Sequence, residues 1–171
     1  MFPKIKNFIW KMALDGIPTK ATLKNKNIHI QMKCNFCPNN YEDLNHIFLK
    51  CPNTLKHLHK INLKTANVIC HLSNPDRKMI DVLRELNKKL LKKDLQELFV
   101  IWWCLWDQRN TDIFETNKQK KINNVIEYTK YQMKIWKESK AFNSDNSPSK
   151  DPSQSKKQTR RKRTNIKWQL Q

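Results

Sequence analysis

The sequence predicts an all-α, mostly helical protein. The chain of 171 residues contains a single glycine, whereas a β fold with many tight turns needs glycine wherever the backbone φ angle is positive. Apolar residues recur at intervals of three and four along most of the chain, which is the period of a helix with one buried face. The hydrophobic fraction is only 38%, but six tryptophans and seven phenylalanines can fill a modest core.

Four residues in the first third of the chain have the spacing of a metal site. They are Cys34, Cys37, His46 and Cys51, in the pattern C-x2-C-x8-H-x4-C. Thiolates and a neutral imidazole are ligands that Zn²⁺ prefers, and four of them close a tetrahedral shell with no position left for water. The pattern therefore predicts one structural zinc ion. The alternatives are a disulfide, a redox pair, or separately buried thiols beside a surface histidine.

Short helices are predicted around these ligands. A helix starts at Pro3, whose missing N–H costs nothing in a first turn, and ends at Gly16, a residue that tolerates a left-handed cap. Thr19 is expected to cap a second short helix. After an extended loop or hairpin, a third helix runs from about Tyr41 to Lys50. The apolar stripe of the first helix consists of Ile5, Phe8, Ile9, Met12 and Ala13.

Longer helices are predicted further along the chain. The first follows Pro52 as far as about Ile61 and carries His57 and His59, which are alternative ligands if Cys51 proves remote. The last predicted helix is expected to dock on the one before it as a hairpin. The apolar stripes of the other helices are Met79, Ile80, Leu83, Leu86, Leu90 and Leu91, then Leu95, Leu98, Phe99, Trp102, Trp103 and Trp106, then Ile122, Val125, Ile126, Thr129, Met133 and Trp136.

The tryptophan-rich stripe allows two interpretations. Trp102, Trp103 and Trp106 beside basic residues are compatible with a platform on which bases stack. Core packing is the commoner role of such a stripe, and we expect it here. Cys104 lies among these tryptophans and is most simply a small buried hydrophobe, while Cys70 is an ordinary thiol.

Positive charge is concentrated toward both ends of the chain. The formal net charge is +19, from 34 basic and 15 acidic residues, and residues 1–75 hold eleven lysines but only three acids. Such density attracts nucleic acid phosphates through counterion release without reading sequence. A lysine-rich composition without any ligand is the alternative. The candidate nucleic-acid-binding residues of this region are Lys4, Lys6, Lys11, Lys20, Lys24 and Lys26.

Residues 143–171 are predicted to form a disordered basic tail, because they contain almost no apolar side chain before Ile166 and cannot offset their chain entropy. The tail contains a basic cluster typical of nuclear localisation signals and nucleic-acid patches, although a charged linker would look the same. We expect no membrane span and an intracellular location, nuclear or cytoplasmic. The candidate phosphate contacts of the tail are Arg160, Arg161, Lys162 and Arg163.

Several segments resemble a known family. They are FPKIKNFIWK (2–11), GIPTKATL (16–23), CNFC (34–37), YEDLNHIF (41–48) and CP (51–52). In this order they are similar to the zinc-binding domain of reverse transcriptases from plant non-LTR retrotransposons. A second stretch, WWCLWDQRNTDIF (102–114), resembles a helix that often follows in such elements. The resemblance implies that Trp10 packs against the second helix or the zinc lobe. It leaves open whether Arg109 and Asn110 bond to phosphate or to a neighbouring helix.

The resemblance does not extend to a polymerase. The chain has no Asp-Asp pair, which the metal-binding motif of the polymerase contains. It begins at Met1, where the zinc-binding domain would begin, and stops soon after Trp168, near where a ribonuclease H domain would start. We therefore expect a fragment or relic reading frame and not an enzyme.

Three regions are expected: a zinc-binding domain over residues 1–62, a helical region over residues 76–142 and the tail. The expected function is a non-catalytic zinc-binding module that holds RNA or DNA without sequence preference. One alternative is a zinc-stabilised module that docks on a reverse transcriptase domain missing from this chain. The other is a functionless relic.

Overall fold

The computed structural model describes residues 2–72, 77–114 and 124–145, and of residues 140–145 it describes the backbone alone. In these ranges the regular elements are helices, apart from one isolated antiparallel bridge between Lys33 and Tyr41. The all-α prediction is confirmed. In chain order the helices are α1 (Pro3–Ala13), α2 (Lys20–Asn25), a π-helix (His46–Lys50), α3 (Pro52–Ile61), α4 (Leu63–Leu72), α5 (Met79–Lys89), α6 (Lys92–Phe114) and α7 (Val125–Asp145).

An apolar core joins these helices, with α6 at its centre. Helix α6 contacts α1, α3, α4, α5 and α7. The Phe48 ring of the π-helix lies 5.7 Å from the ring of Trp102 and 6.2 Å from that of Trp106, measured between centroids. Phe8 of α1 lies 6.5 Å from Trp106. Since Trp102 and Trp106 are buried, they are core residues, as expected, and not a base-stacking platform. The same core includes residues from both predicted ranges, 1–62 and 76–142.

The end of α1 differs in one detail from the prediction. Asp15, and not Gly16, adopts the left-handed conformation, with φ of 52°. Its N–H donates to the carbonyl of Met12, and the Gly16 N–H donates to that of Lys11, at 2.8 Å. This is the Schellman arrangement, which satisfies carbonyls that the helix end leaves open. Glycine still matters here, because a Cβ at Gly16 would lie 3.3 Å from the Lys11 carbonyl oxygen.

Two further expectations for the N-terminal region have opposite outcomes. Thr19 caps α2 as predicted, since its Oγ1 accepts from the Thr22 N–H at 3.2 Å. Trp10 was expected to pack on the second helix or the zinc lobe, and this is wrong: its side chain is 66% exposed. The α1 stripe that faces the core begins at Ile5, and Trp10 points away from that stripe.

In the rest of the chain, α3 has the predicted bounds and α7 packs on α6 as a hairpin, as expected. Helix α4 was not predicted, although Asn62 supplies a cap by accepting from the Thr65 N–H at 3.1 Å.

Residues 143–145 extend α7 and do not belong to the tail. The remainder of the predicted tail, residues 146–171, lies outside the described residues. Within the described ranges, no helix has the length and apolar character needed to cross a membrane.

Candidate metal centre

The four predicted ligands lie together. One ligand atom from each of Cys34, Cys37, His46 and Cys51 falls within 4.8 Å of the others. The His46 Nε2 is 3.0 Å from the Cys37 Sγ, and the Cys37 Sγ is 3.6 Å from the Cys51 Sγ. His57 is not in this cluster, because its Nδ1 pairs with the Asn53 carbonyl on α3.

The first two ligands sit on a tight turn between short extended segments. The Glu42 N–H donates to the Met32 carbonyl at 2.8 Å, and the Cys34 N–H donates to that of Asn40, also at 2.8 Å. The Asn40 N–H in turn donates to the Cys37 carbonyl at 3.1 Å. These bonds fold residues 32–42 into the hairpin that the sequence allowed, with the Cys-x-x-Cys turn at its tip.

The other two ligands come from the π-helix and its exit. The spacing H-x4-C is awkward for an α-helix, because residues five apart point about 140° away from each other. Here the Cys51 N–H donates to the His46 carbonyl, five residues earlier, at 2.6 Å. This wide turn keeps both ligands on one side. The Asp43 carboxylate fixes its start by accepting from the His46 N–H at 2.6 Å, and Thr54 Oγ1 donates to the Ile47 carbonyl at 2.6 Å.

The geometry of the cluster fits one zinc ion. With Zn–S bonds of about 2.3 Å and Zn–N bonds of about 2.0 Å, a tetrahedral shell of three sulfurs and one nitrogen places its ligand atoms roughly 3.5 to 3.8 Å apart. The Cys37–Cys51 sulfur distance of 3.6 Å falls in that range, and the His46–Cys37 distance of 3.0 Å is about half an ångström shorter. Cys34, Cys51 and His46 are buried and Cys37 is half-buried, so the cluster is largely shielded from water. Four protein ligands of this type make a closed structural site.

The pKa values of the three thiols show why the cluster suits a cation. A hydrogen bond to Cys51, together with burial, raises the pKa of Cys34 to about 11. The same bond lowers the pKa of Cys51, and burial raises that of Cys37. Without metal, Cys51 therefore loses its proton more easily than Cys34 or Cys37. A divalent ion supplies the charge that lets all three thiols lose their protons.

A buried ion pair ties this centre to α6. The Arg109 Nη2 donates to the Glu42 Oε1 at 2.5 Å, and both side chains are 1% exposed. The same carboxylate oxygen accepts from the Lys20 N–H at 3.0 Å. Arg109 also lies over the ring of Trp106, with its guanidinium carbon 4.7 Å from the centroid, and its Nη1 donates to the Asn110 Oδ1 at 2.9 Å. Arg109 thus bonds within the protein and does not face phosphate.

The candidate phosphate-binding lysines divide into three groups. Lys20, which as a candidate phosphate contact should have been exposed, is instead buried, and its Nζ donates to the Lys33 carbonyl and to the Asn35 Oδ1. Lys4 is exposed, but its Nζ lies 3.9 Å from the centroid of Trp103. The other four candidate lysines, Lys6, Lys11, Lys24 and Lys26, are exposed. Arg160, Arg161, Lys162 and Arg163 lie outside the described residues.

Sequence reasoning missed two lysines beside the metal centre. Lys56 and Lys60 line a cavity of about 370 Å³ between α3, the Cys-x-x-Cys turn at Phe36, and the start of α7. The signal was present, because these lysines are four residues apart on α3 and lie on the opposite face from the buried Leu58.

Residues 1–57 match a family of sequences described as zinc-binding in reverse transcriptase. This segment is similar to a reverse transcriptase zinc-binding domain. The match includes all four ligands and ends inside α3, so the matched segment contains Glu42 but not its partner Arg109. No curated protein and no solved structure matches the chain.

Proposed function

We propose that this protein is a non-catalytic zinc-binding module, derived from a plant non-LTR retrotransposon, that holds nucleic acid without reading its sequence. The similarity of residues 1–57 to a reverse transcriptase zinc-binding domain supports the origin. The closed Cys3His centre supports a structural role for the metal. In this function zinc keeps the loops around it folded, and the basic surface of those loops contacts phosphate.

The observation that carries the proposal is the imbalance of exposed charge near the metal. Residues 1–75 contain eleven lysines and only three acids, Asp15, Glu42 and Asp43. Two of the three acids already have partners within the protein: Glu42 is paired with Arg109, and Asp43 accepts from the His46 N–H. Of these three acids, Asp15 alone remains for the exposed lysines of the region. One of those lysines, Lys64, lies 4.0 Å from Asp94 of α6. The remaining excess of lysine favours association with phosphates.

Lys24 and Lys26 illustrate the imbalance. Both are exposed at the end of α2, and neither has a carboxylate partner among the described residues. By contrast, Lys88 of α5 is bonded to Glu85 at 2.9 Å. Lysines without partners retain their full charge for a polyanion, whereas a paired lysine must first leave its acid.

Titration of the zinc-loaded protein with a labelled RNA or DNA oligonucleotide tests the proposal. The dissociation constant should rise steeply between about 50 and about 200 mM salt, because each phosphate contact releases a counterion. The double variant Lys24→Gln/Lys26→Gln should bind more weakly and with a smaller salt dependence. The single variant Lys88→Gln is the control and should change little, because this lysine is paired with Glu85.

The alternative, a module that docks on a reverse transcriptase domain, also has a feature in its favour. Leu14, Leu63 and Leu91 are each at least 60% exposed, and a partner domain that covered such side chains would bury apolar surface. The same titration decides between the two. If the zinc-loaded protein binds no oligonucleotide even at low salt, nucleic acid binding is excluded and the docking role is favoured.

A further inference from the structure

The exposed face of α1 carries an aromatic side chain that the core does not use. Trp10 is 66% exposed, and Leu14, one helical turn further on, is 62% exposed. Ile5, Phe8 and Met12 bury the opposite side of the same helix. Trp10 is therefore held on a helix that the core fixes in place, so its indole ring is presented to solvent from a rigid support.

Lysines without acidic partners flank this ring. Lys6 lies one turn before Trp10 on the same face of α1, and Lys11, the next residue, lies about 100° further round the helix on the other side of Trp10. Both are exposed, and neither has a carboxylate partner among the residues that the structure describes. Helix α1 contains no acid. Lys4 lies further round, with its ammonium group over Trp103 of α6.

A second exposed aromatic residue shows that this environment is particular to α1. Tyr131 of α7 is 59% exposed and also lies among lysines. There, however, Lys130 pairs with Glu127 at 2.8 Å, and Lys134 lies 4.0 Å from Glu138. The two faces expose similar aromatic surface, but the lysines beside Trp10 have no acidic partner, whereas those beside Tyr131 lie next to glutamates.

We infer that this face of α1 binds single-stranded nucleic acid, with a base stacked on Trp10 and the adjoining phosphates on Lys6 and Lys11. The inference rests on the proposed function and assigns it a site. An indole ring offers a flat π surface to any base, and flanking lysines follow the backbone. A duplex is a poorer ligand because its bases are already stacked on each other.

Other occupants of this face are less compatible with its charge. A second copy of the chain would bring the lysines of the two α1 helices against each other, and like charges across an interface are unfavourable. An acidic peptide would satisfy the lysines but has no planar group for the indole unless it is also aromatic. The combination of an exposed indole and unpaired lysines suits a nucleotide, which has both a flat base and a negative phosphate.

The test compares a single-stranded RNA with a duplex of the same length, using zinc-loaded full-length protein. Trp10→Leu should weaken single-strand binding about tenfold, which corresponds to the loss of one stacked base, and should leave duplex binding unchanged. Trp10→Tyr keeps an aromatic face and should restore most of the affinity. Tyr131→Leu is the matched control and should have no effect.

A pair of lysine variants tests the phosphate contacts separately. Lys6→Gln/Lys11→Gln should reduce the salt slope of single-strand binding by about 1.4, which corresponds to two phosphates, whereas Lys130→Gln/Lys134→Gln should not. If Trp10→Leu loses zinc, its binding data cannot be used, and the salt slopes of the lysine variants then test the inference. Equal binding by wild type and Trp10→Leu, or an equal loss for single strand and duplex, overturns the inference and leaves the proposed function intact. If wild-type protein binds neither ligand, the proposed function itself fails.

Discussion

The loop that holds the first two zinc ligands, Cys34 and Cys37, and the long helix α6 are stabilised in opposite ways. Residues 14–45, here called the zinc loop, bury two apolar side chains, Ile17 and Cys34. Helix α6 buries nine side chains, and eight of them are apolar. A segment with so little apolar burial cannot offset its conformational entropy by the hydrophobic effect. The zinc loop therefore depends on metal ligation and polar contacts, whereas α6 depends on its core.

The largest expected effect separates the two regions directly. Cys51→Ser removes a thiolate from the closed shell, and the zinc loop should unfold, because structural zinc in small fingers contributes about 10 kcal/mol of apparent binding free energy. Metal analysis and circular dichroism should show loss of zinc while most helix remains. Cys70→Ser, at an exposed cysteine of α4, is the control and should keep full zinc. The reverse outcome for these two variants would show that the ligand set is wrong.

The buried ion pair that joins the two regions should give the next largest effect. Glu42→Gln leaves the Arg109 charge without its counter-charge, and breaking a buried pair in this way costs about 3 to 5 kcal/mol. Urea unfolding should show the loss. The double variant Glu42→Gln/Arg109→Met should recover part of the stability, since no unpaired charge is then buried. If Glu42→Gln costs less than about 1 kcal/mol, the pair does not link the two regions energetically.

A smaller effect is expected at the cap of α2, within the zinc loop. Thr19→Ala removes the acceptor for the Thr22 N–H and should lower the free energy of unfolding by about 1 kcal/mol. Lys24→Ala, on the same helix but exposed, should change it by less than about 0.5 kcal/mol. Chemical denaturation followed by circular dichroism measures both. An equal effect of the two substitutions would mean that the cap contributes nothing particular.

The smallest effect is expected at Cys104, which should resist alkylation whether or not zinc is bound. Burial raises its pKa from the usual 9.0 to about 12, so near neutral pH its reactive thiolate is much rarer than that of an ordinary cysteine. After chelation, mass spectrometry should find Cys34, Cys37 and Cys51 modified, whereas Cys70 should react under both conditions. Modification of Cys104 together with the former zinc ligands would show that the core unfolds with the zinc loop.

The ligand set and most helical elements could be predicted because their signals are local, although the helix predicted from about Tyr41 begins only at Leu44, since Tyr41 pairs with Lys33. The four ligands follow from cysteine and histidine spacing, and α3 follows from Pro52 and the residues after it. The pairing of α6 and α7 follows from their apolar stripes. Helix α4, which was not predicted, also has a local signal in its Asn62 cap, so the sequence contains enough information to predict it.

The sequence by itself determined which residues can bind zinc, which helix faces are apolar, and where the excess positive charge lies. Only the tertiary structure decided that Lys20 is buried, that Trp10 is exposed, that His46 lies on a π-turn, and that Arg109 bonds to Glu42, 67 residues away. The physical reason is that the two kinds of feature depend on interactions over different distances along the sequence. Helical periodicity and ligand spacing depend on neighbours a few residues apart, whereas the partner of a charged or aromatic side chain is set by which distant segments the core brings together.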